Sequence, residues 1–330
     1  MIRTIACLMV LGLGLGLAGL GCQKKAAQDQ VAIGFVVKDP TEPWFQDEWK
    51  FAQQAADKYG FKLVKIGAED GEKTLGAIDN LIAQGAQGLV ICAADTHLGP
   101  AIVTKTSSAG MKLMSVDDQL VGADGKPMDV HHLGISASNI GKMVGATLAE
   151  QMKLRGWKNE DTGVCMVTWE VIETGRQRTD GAAAALVAAG FPAERIFKAP
   201  EKTADVPGSM DAVNILLTQH PEVKHWLVCS TNDNGVMGGI RAMEGRGFDA
   251  SNVIGVGING TDCLVEFRKD KPTGFWGSVL LAPRRHGYET AEKMYLWIKD
   301  GQEPPKTTFT DGILITRDTY QRIRKEQGLD

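Results

Sequence analysis

The chain has 330 residues, 43% of them hydrophobic and 23% charged, with a formal net charge of -4. That length is too great for one ordinary core and suits two α/β lobes. A weakly acidic chain with its Lys and Arg spread along it lacks the basic patch that nucleic-acid binding requires, so no nucleic-acid partner is expected.

The first residues carry a specific signal. Met1 to Gly21 holds one charge, Arg3, then an apolar Leu/Gly/Ala run, then small residues before Cys22. This predicts a secretory signal peptide over 1–21 and an exported protein. Its Gly-x-Gly spacings follow no strand and open no helix, which argues against a nucleotide-binding loop. The run LAGLGC resembles a bacterial lipobox, which implies cleavage before Cys22 and lipidation there, although Gly19 stands where an aliphatic residue is usual. Acyl chains anchor by burying methylenes at ~0.8 kcal/mol each. Ordinary cleavage nearby, giving a soluble periplasmic protein, is the alternative. Residues 22–30 read as a polar tether. Cys92, Cys165, Cys229 and Cys263 lie far apart with no C-x-x-C pair, so they read as small buried apolar residues and not as a metal or redox site.

Beyond the tether, apolar strands alternate with amphipathic helices. Strands are expected at 31–38, 61–66, 88–92 and 111–116, with helices at 45–60, 72–85 and 97–108 between them. After a helix at 139–155 the alternation restarts. Strands follow at 163–168, 195–198, 225–230, 253–258 and 275–280. Helices fall at 174–190, 208–219, 235–246 and 284–299, then an extended segment at 308–315 and a last helix near 317–327. Buried strands joined by helices make parallel sheets with right-handed crossovers. Two such runs predict two doubly wound lobes, with ligands beyond the C-terminal strand ends.

Those strand ends hold the informative residues. Lys38 precedes DPTEPWF, and Cys92 precedes AADTH. DDQ (117–119), WEVIETGRQR (169–178), TNDN (231–234) and NGTD (259–262) close four more strands. Carboxylates accept hydrogen bonds, Lys and Arg donate them, and Asn does both, which suits sugar hydroxyls. An aromatic ring such as Trp44, Phe45 or Trp169 can cover the apolar face of a pyranose. Such a site rejects the wrong epimer by leaving buried polar groups unpaired.

At KDPTEPWFQDEWKFA the chain resembles the bacterial periplasmic L-arabinose-binding proteins, the sugar receptors of ABC importers. The likeness continues through DGEKTLGAIDNLIAQGA, VDDQLVGADGKPMD, GFPAERIF, QHPEVKHWLV, GVGINGTD and EPPKTTFTDGILITRD, over most of 31–325. It implies a periplasmic binding protein-like clamshell with a three-crossover hinge near 135, 281 and 312. One lobe would hold 31–135 plus 282–311, the other 136–281 plus 312–330. Carried over residue by residue, it implies that Lys38 and Glu42 bond ring hydroxyls and that Trp44 and Phe45 pack on the sugar face. Asp118, with Asp117 beside it, would accept from the anomeric hydroxyl. Arg178 would reach the ring oxygen. Asn232 and Asn259 would bond further hydroxyls, and Asp262 would act through water. Cys92, Ile172 and Thr174 would line the cleft. Ile135, Thr231 and Leu281 depart from the family's Met, Met and Pro, and the loop before the first crossover is one residue shorter. These departures touch the apolar wall and leave pentose or hexose open, D-galactose being the alternative to L-arabinose.

Competing readings are weaker. Glu42, Asp118 and Glu170 could pair as glycosidase carboxylates, but sequence shows no separation between them. TNDNG lacks the ligand periodicity of a calcium loop and suits a helix N-terminus. His131, His132 and His286 read as solvated or satisfied residues, and no G-x-S-x-G occurs. The expectation is therefore a monomeric receptor, not an enzyme, with no cofactor or metal. It would pass a monosaccharide to a permease and its ATPase, or present it to a sensor kinase or chemoreceptor.

Overall fold

In chain order, the computed structural model forms β1 (Ala32–Val37), α1 (Pro43–Tyr59), β2 (Lys62–Gly67), α2 (Gly71–Ala83), β3 (Gly88–Ile91), α3 (Gly99–Ser108), β4 (Lys112–Asp117) and β5 (His131–Ile135). Then come α4 (Ala137–Leu154), β6 (Thr162–Thr168), α5 (Glu173–Ala188), β7 (Ile196–Pro200), α6 (Val206–Gln219), β8 (His225–Cys229), α7 (Asp233–Glu244), β9 (Val253–Asn259), α8 (Leu264–Phe267) and β10 (Phe275–Leu280). The chain ends with α9 (Thr290–Asp300), β11 (Thr307–Thr310), β12 (Ile313–Thr316) and α10 (Tyr320–Glu326). The structure describes residues 30–330. The expected signal peptide, Cys22 and nearly all of the tether lie outside the described residues.

The strands make two six-stranded sheets, ordered β2-β1-β3-β4-β5-β11 and β7-β6-β8-β9-β10-β12. Every neighbouring pair in the first sheet is parallel. The second differs only in β12, which runs antiparallel to β10. The order reverses beside β1 and beside β6, and at such switch points the loops diverge to leave a crevice. The chain passes to the second sheet after β5, returns after β10, and crosses again between β11 and β12.

Local chemistry accounts for the elements. All six residues of β1 are buried, as expected for a central parallel strand covered on both faces. Helix α1 starts with Pro43, whose missing N–H costs nothing in the first turn, and stops at Gly60 in the left-handed region (φ 74°). Its buried face carries Trp44, Phe45, Phe51 and Ala52. Helices α4 and α5 approach at backbone distance: a Cβ on Gly141 would overlap the Arg178 carbonyl. Among the described residues no helix is long and apolar enough to cross a membrane.

Three elements differ from expectation. Strand β5 was not foreseen because HHLGI shows no apolar run; it is nonetheless buried throughout. His131 bonds Pro305 and Glu303, which satisfies both its ring nitrogens, and His132 bonds Ser115 through Nδ1. The extended segment at 308–315 is two strands that join different sheets, parallel in one and antiparallel in the other. Short α8 follows a loop whose N–H groups are bound by Asp233.

Candidate functional site

A cleft of about 330 Å³ lies between the lobes, at the C-terminal ends of both sheets. That is near the lower end of ligand pockets, which run about 300–1,000 Å³, and fits one small molecule. Lys38, Glu42, Trp44, Phe45, Asp117 and Asp118 line it from the first lobe. Ile172, Thr174, Arg178, Asn232 and Asn259 line it from the second. Ile135 and Leu281, where the chain changes lobes, complete the apolar wall with Thr231 nearby.

The loop after β1 delivers Lys38 and Glu42, and the first turn of α1 delivers Trp44 and Phe45. Lys38 forms an ion pair with Asp118. Burial opposes the Lys38 charge, but Asp118 outweighs it and lifts the ammonium above the usual lysine range. Burial likewise works against ionised Asp118, yet Lys38, Thr174 and Arg178 together hold it below the ordinary carboxylate range. Glu42 moves the other way. Burial first, then Asp262 and Asp39, push it up to about 7.

Two hydrogen bonds span the lobes. Thr174 Oγ1 donates to Asp118 Oδ1 at 2.7 Å, and Asn259 Nδ2 donates to Glu42 Oε1 at 3.1 Å. The lobes are therefore closed on one another. Arg178, in the second turn of α5, donates through Nη1 to the Thr231 carbonyl. Its buried Nε has no partner among the described residues, which leaves a donor for a ligand. Asn232 caps α7, accepting from the Gly235 N–H at 2.8 Å, as the TNDNG reading expected. Asn259 ends β9 at φ 110°, just before a loop fixed by Asp233. Asp233 Oδ2 accepts from the N–H groups of Gly260, Thr261 and Cys263, and its Oδ1 from Ser278.

Two of the expected residues lie elsewhere. Cys92 does not line the cleft; it is fully buried beneath Asp118, with Sγ 3.7 Å from Oδ2, so the Asp118 carboxylate stands between it and the ligand space. Burial pushes its thiol well above the ordinary range. Asp262 is also off the wall and acts on the site through its charge on Glu42. Glu170 pairs with Lys198 on the surface, which removes it from any carboxylate pair in the cleft. Glu69 and Ala204 line the cleft and were missed. They follow β2 and β7, whose ends the same strand-end rule would have covered.

Behind Trp44, the ligand atoms of Glu48, Asp117 and His286 lie within 4.8 Å of one another. His286 Nδ1 stands 2.6 Å from Asp117 Oδ1. Two ligands of a tetrahedral ion would stand about 3.3 Å apart, given ion–ligand distances of ~2.0–2.1 Å. The spacing is that of a hydrogen bond, not of a shared metal.

Two doubly wound lobes closed over a polar and aromatic cleft define a clamshell binding protein. The family described as periplasmic binding proteins and sugar binding domain of LacI family matches residues 30–323, and the chain belongs to it. The chain is 48% identical over 317 residues to the L-arabinose-binding periplasmic protein of Escherichia coli (strain K12), covering 96% of each. It is 46% identical to the ABC transporter L-arabinose-binding periplasmic protein of Azospirillum brasilense, covering 96% of this chain and 95% of the relative. Among solved structures, a periplasmic solute-binding protein from Actinobacillus succinogenes with bound D-allose superposes with a TM-score of 0.75 at 19% identity, over 89% of this chain and 100% of that one. Its relatives are binding proteins, and this chain is a binding protein rather than an enzyme.

Proposed function

We propose that this protein is the substrate-binding component of an ABC importer, capturing L-arabinose between its lobes and delivering it to a membrane permease. One observation carries the reading. A cleft sized for one small molecule brings charged donors and acceptors from both lobes against Trp44 and Phe45. Lys38, Glu42, Asp117, Asp118, Arg178, Asn232 and Asn259 would share the hydroxyls and ring oxygen, with Asp262 acting through water. Trp44 and Phe45 would cover the sugar's C–H face. The moving units would be 31–135 plus 282–311 and 136–281 plus 312–330. Sugar would favour the closed state by binding it more tightly than the open one.

The relatives' names support arabinose, whereas Ile135, Thr231 and Leu281 in the wall leave D-galactose as a second outcome. A thermal-shift panel of L-arabinose, D-galactose, D-fucose, D-xylose and D-ribose separates them. The true ligand raises the melting temperature by mass action. No response to any of the five overturns the monosaccharide reading.

The protein acts in the periplasm. We propose further that it is a monomer tethered through lipidated Cys22. Mass spectrometry of the mature N-terminus should find an acylated cysteine; an unmodified end elsewhere would remove the anchor. Size exclusion should return a single-chain mass.

A further inference from the structure

His286 is fully buried and faces an oxygen at each ring nitrogen. Nδ1 lies 2.6 Å from Asp117 Oδ1 and 3.6 Å from Glu48 Oε1. Nε2 lies 2.8 Å from Thr310 Oγ1. The Thr310 hydroxyl also lies 3.3 Å from the Gly134 carbonyl. A carboxylate can only accept, so Nδ1 carries the hydrogen of the bond to Asp117. Asp117 is itself held as a carboxylate: burial opposes its charge, but His286 and the hydrogen bond from it bring the carboxyl below its ordinary range. It also accepts from Trp44 Nε1 at 3.3 Å. Glu48 moves the other way: burial, then the Asp117 charge, push its carboxyl well above the usual range.

We propose that His286 is a positioning residue of the sugar site: an imidazole whose Nδ1–H fixes the Asp117 carboxylate and whose ring packs on Trp44, tying both to the hinge. The proposal rests on the sugar-site reading above. Asp117 needs such a hold because its φ of 62° is a left-handed conformation that non-glycine residues seldom adopt. Trp44 meets the His286 ring edge-on at 5.2 Å. Gly287 lets the chain seat the imidazole, since a Cβ there would overlap the Glu48 carbonyl. His286 follows the crossing after β10, Thr310 precedes that after β11, and Gly134 precedes that after β5. One side chain and one hydroxyl thus connect the cleft to all three crossings. The titratable groups facing the ring are Glu48 on α1, Asp117 at the end of β4 and His132 on β5.

Two measurements test this. In the full wild-type protein without sugar, nitrogen-15 NMR of labelled histidine should show the His286 Nδ1 carrying hydrogen. A bare Nδ1 overturns the proposal, and this arm needs neither a variant nor a ligand. For binding, His286→Leu should weaken L-arabinose affinity by about tenfold or more. His286→Asn, whose amide N–H can overlay Nδ1–H, should stay within about threefold of wild type. Leu binding like wild type, or equal loss in both variants, overturns it. Wild type that answers no sugar defeats the sugar reading instead, and the NMR arm still decides whether His286 Nδ1 is the donor.

Discussion

Thr174, on the second lobe, donates a hydrogen bond to Asp118 on the first. Asp118 also holds Lys38 and lies over Cys92, so this one contact joins both lobes to the most charged corner of the cleft. Thr174→Val keeps the shape and removes the donor. A bond to a charged acceptor contributes roughly 1.5–3 kcal/mol, so sugar affinity should fall by about tenfold or more. Calorimetric titration checks the affinity. Small-angle scattering should show a more open average shape for the variant; an unchanged profile and affinity would deny the contact any part in closure.

Arg178 is a buried cation facing Asp118, Asp117 and Glu42. Arg178→Ala removes the donor at Nε and leaves those carboxylates poorly compensated. Truncating one partner of a buried charged pair costs about 2–5 kcal/mol, which takes affinity down by roughly thirtyfold or more. The thermal-shift response to the cognate sugar should disappear; a wild-type shift would place Arg178 outside the site.

Glu42 gives a pH-dependent test. Its carboxyl titrates at about 7 in the folded protein against 4.5 ordinarily. Above 7 the carboxylate is ionised in both states, and the folded protein bears the cost of burying it. As pH falls from about 7 to 4.5 the folded state takes up the proton first, and that cost fades. Glu42→Gln should therefore melt higher than wild type at about pH 8 and lose the advantage as pH falls toward 4.5. The same change should weaken sugar binding at every pH. An advantage that grows on acidification would reverse the assignment.

Asp233 does not line the cleft but organises the loop that follows Asn259. Asp233→Ala would strand the Thr261 and Cys263 N–H groups and take the acceptor from the Ser278 hydroxyl, while the Gly260 N–H keeps its bond to Ser278 Oγ. Each unsatisfied buried group costs about 1–3 kcal/mol, so chemical denaturation should show a loss of several kcal/mol. Affinity should fall as well, through Asn259. A variant as stable as wild type would mean the loop is held by its other contacts.

Much of the fold was legible because β1, β3, β6 and β9 are near-continuous apolar runs and the helices between them have clear faces. Strand β5 escaped because His131 and His132 are polar by composition and buried only through partners distant in sequence, Glu303 and Ser115. The break between β11 and β12 escaped because a period of two cannot tell which sheet a strand joins. At the site, reading strand ends located the charged groups without a structure. It could not separate Asp118, in the cleft, from Cys92 one layer below. His286 read as a satisfied residue, which it is. Its link to Asp117 spans 169 residues and has no local signature.

Three crossings mean that no uninterrupted stretch of the gene encodes either lobe. A single recombination joint therefore cannot exchange one lobe for that of a relative with another sugar preference. Only two residues, Asp311 and Gly312, separate the strands that finish the two sheets, so a chain cut short before β11 leaves both sheets without an edge strand. The halves of this receptor are inherited, and completed, together.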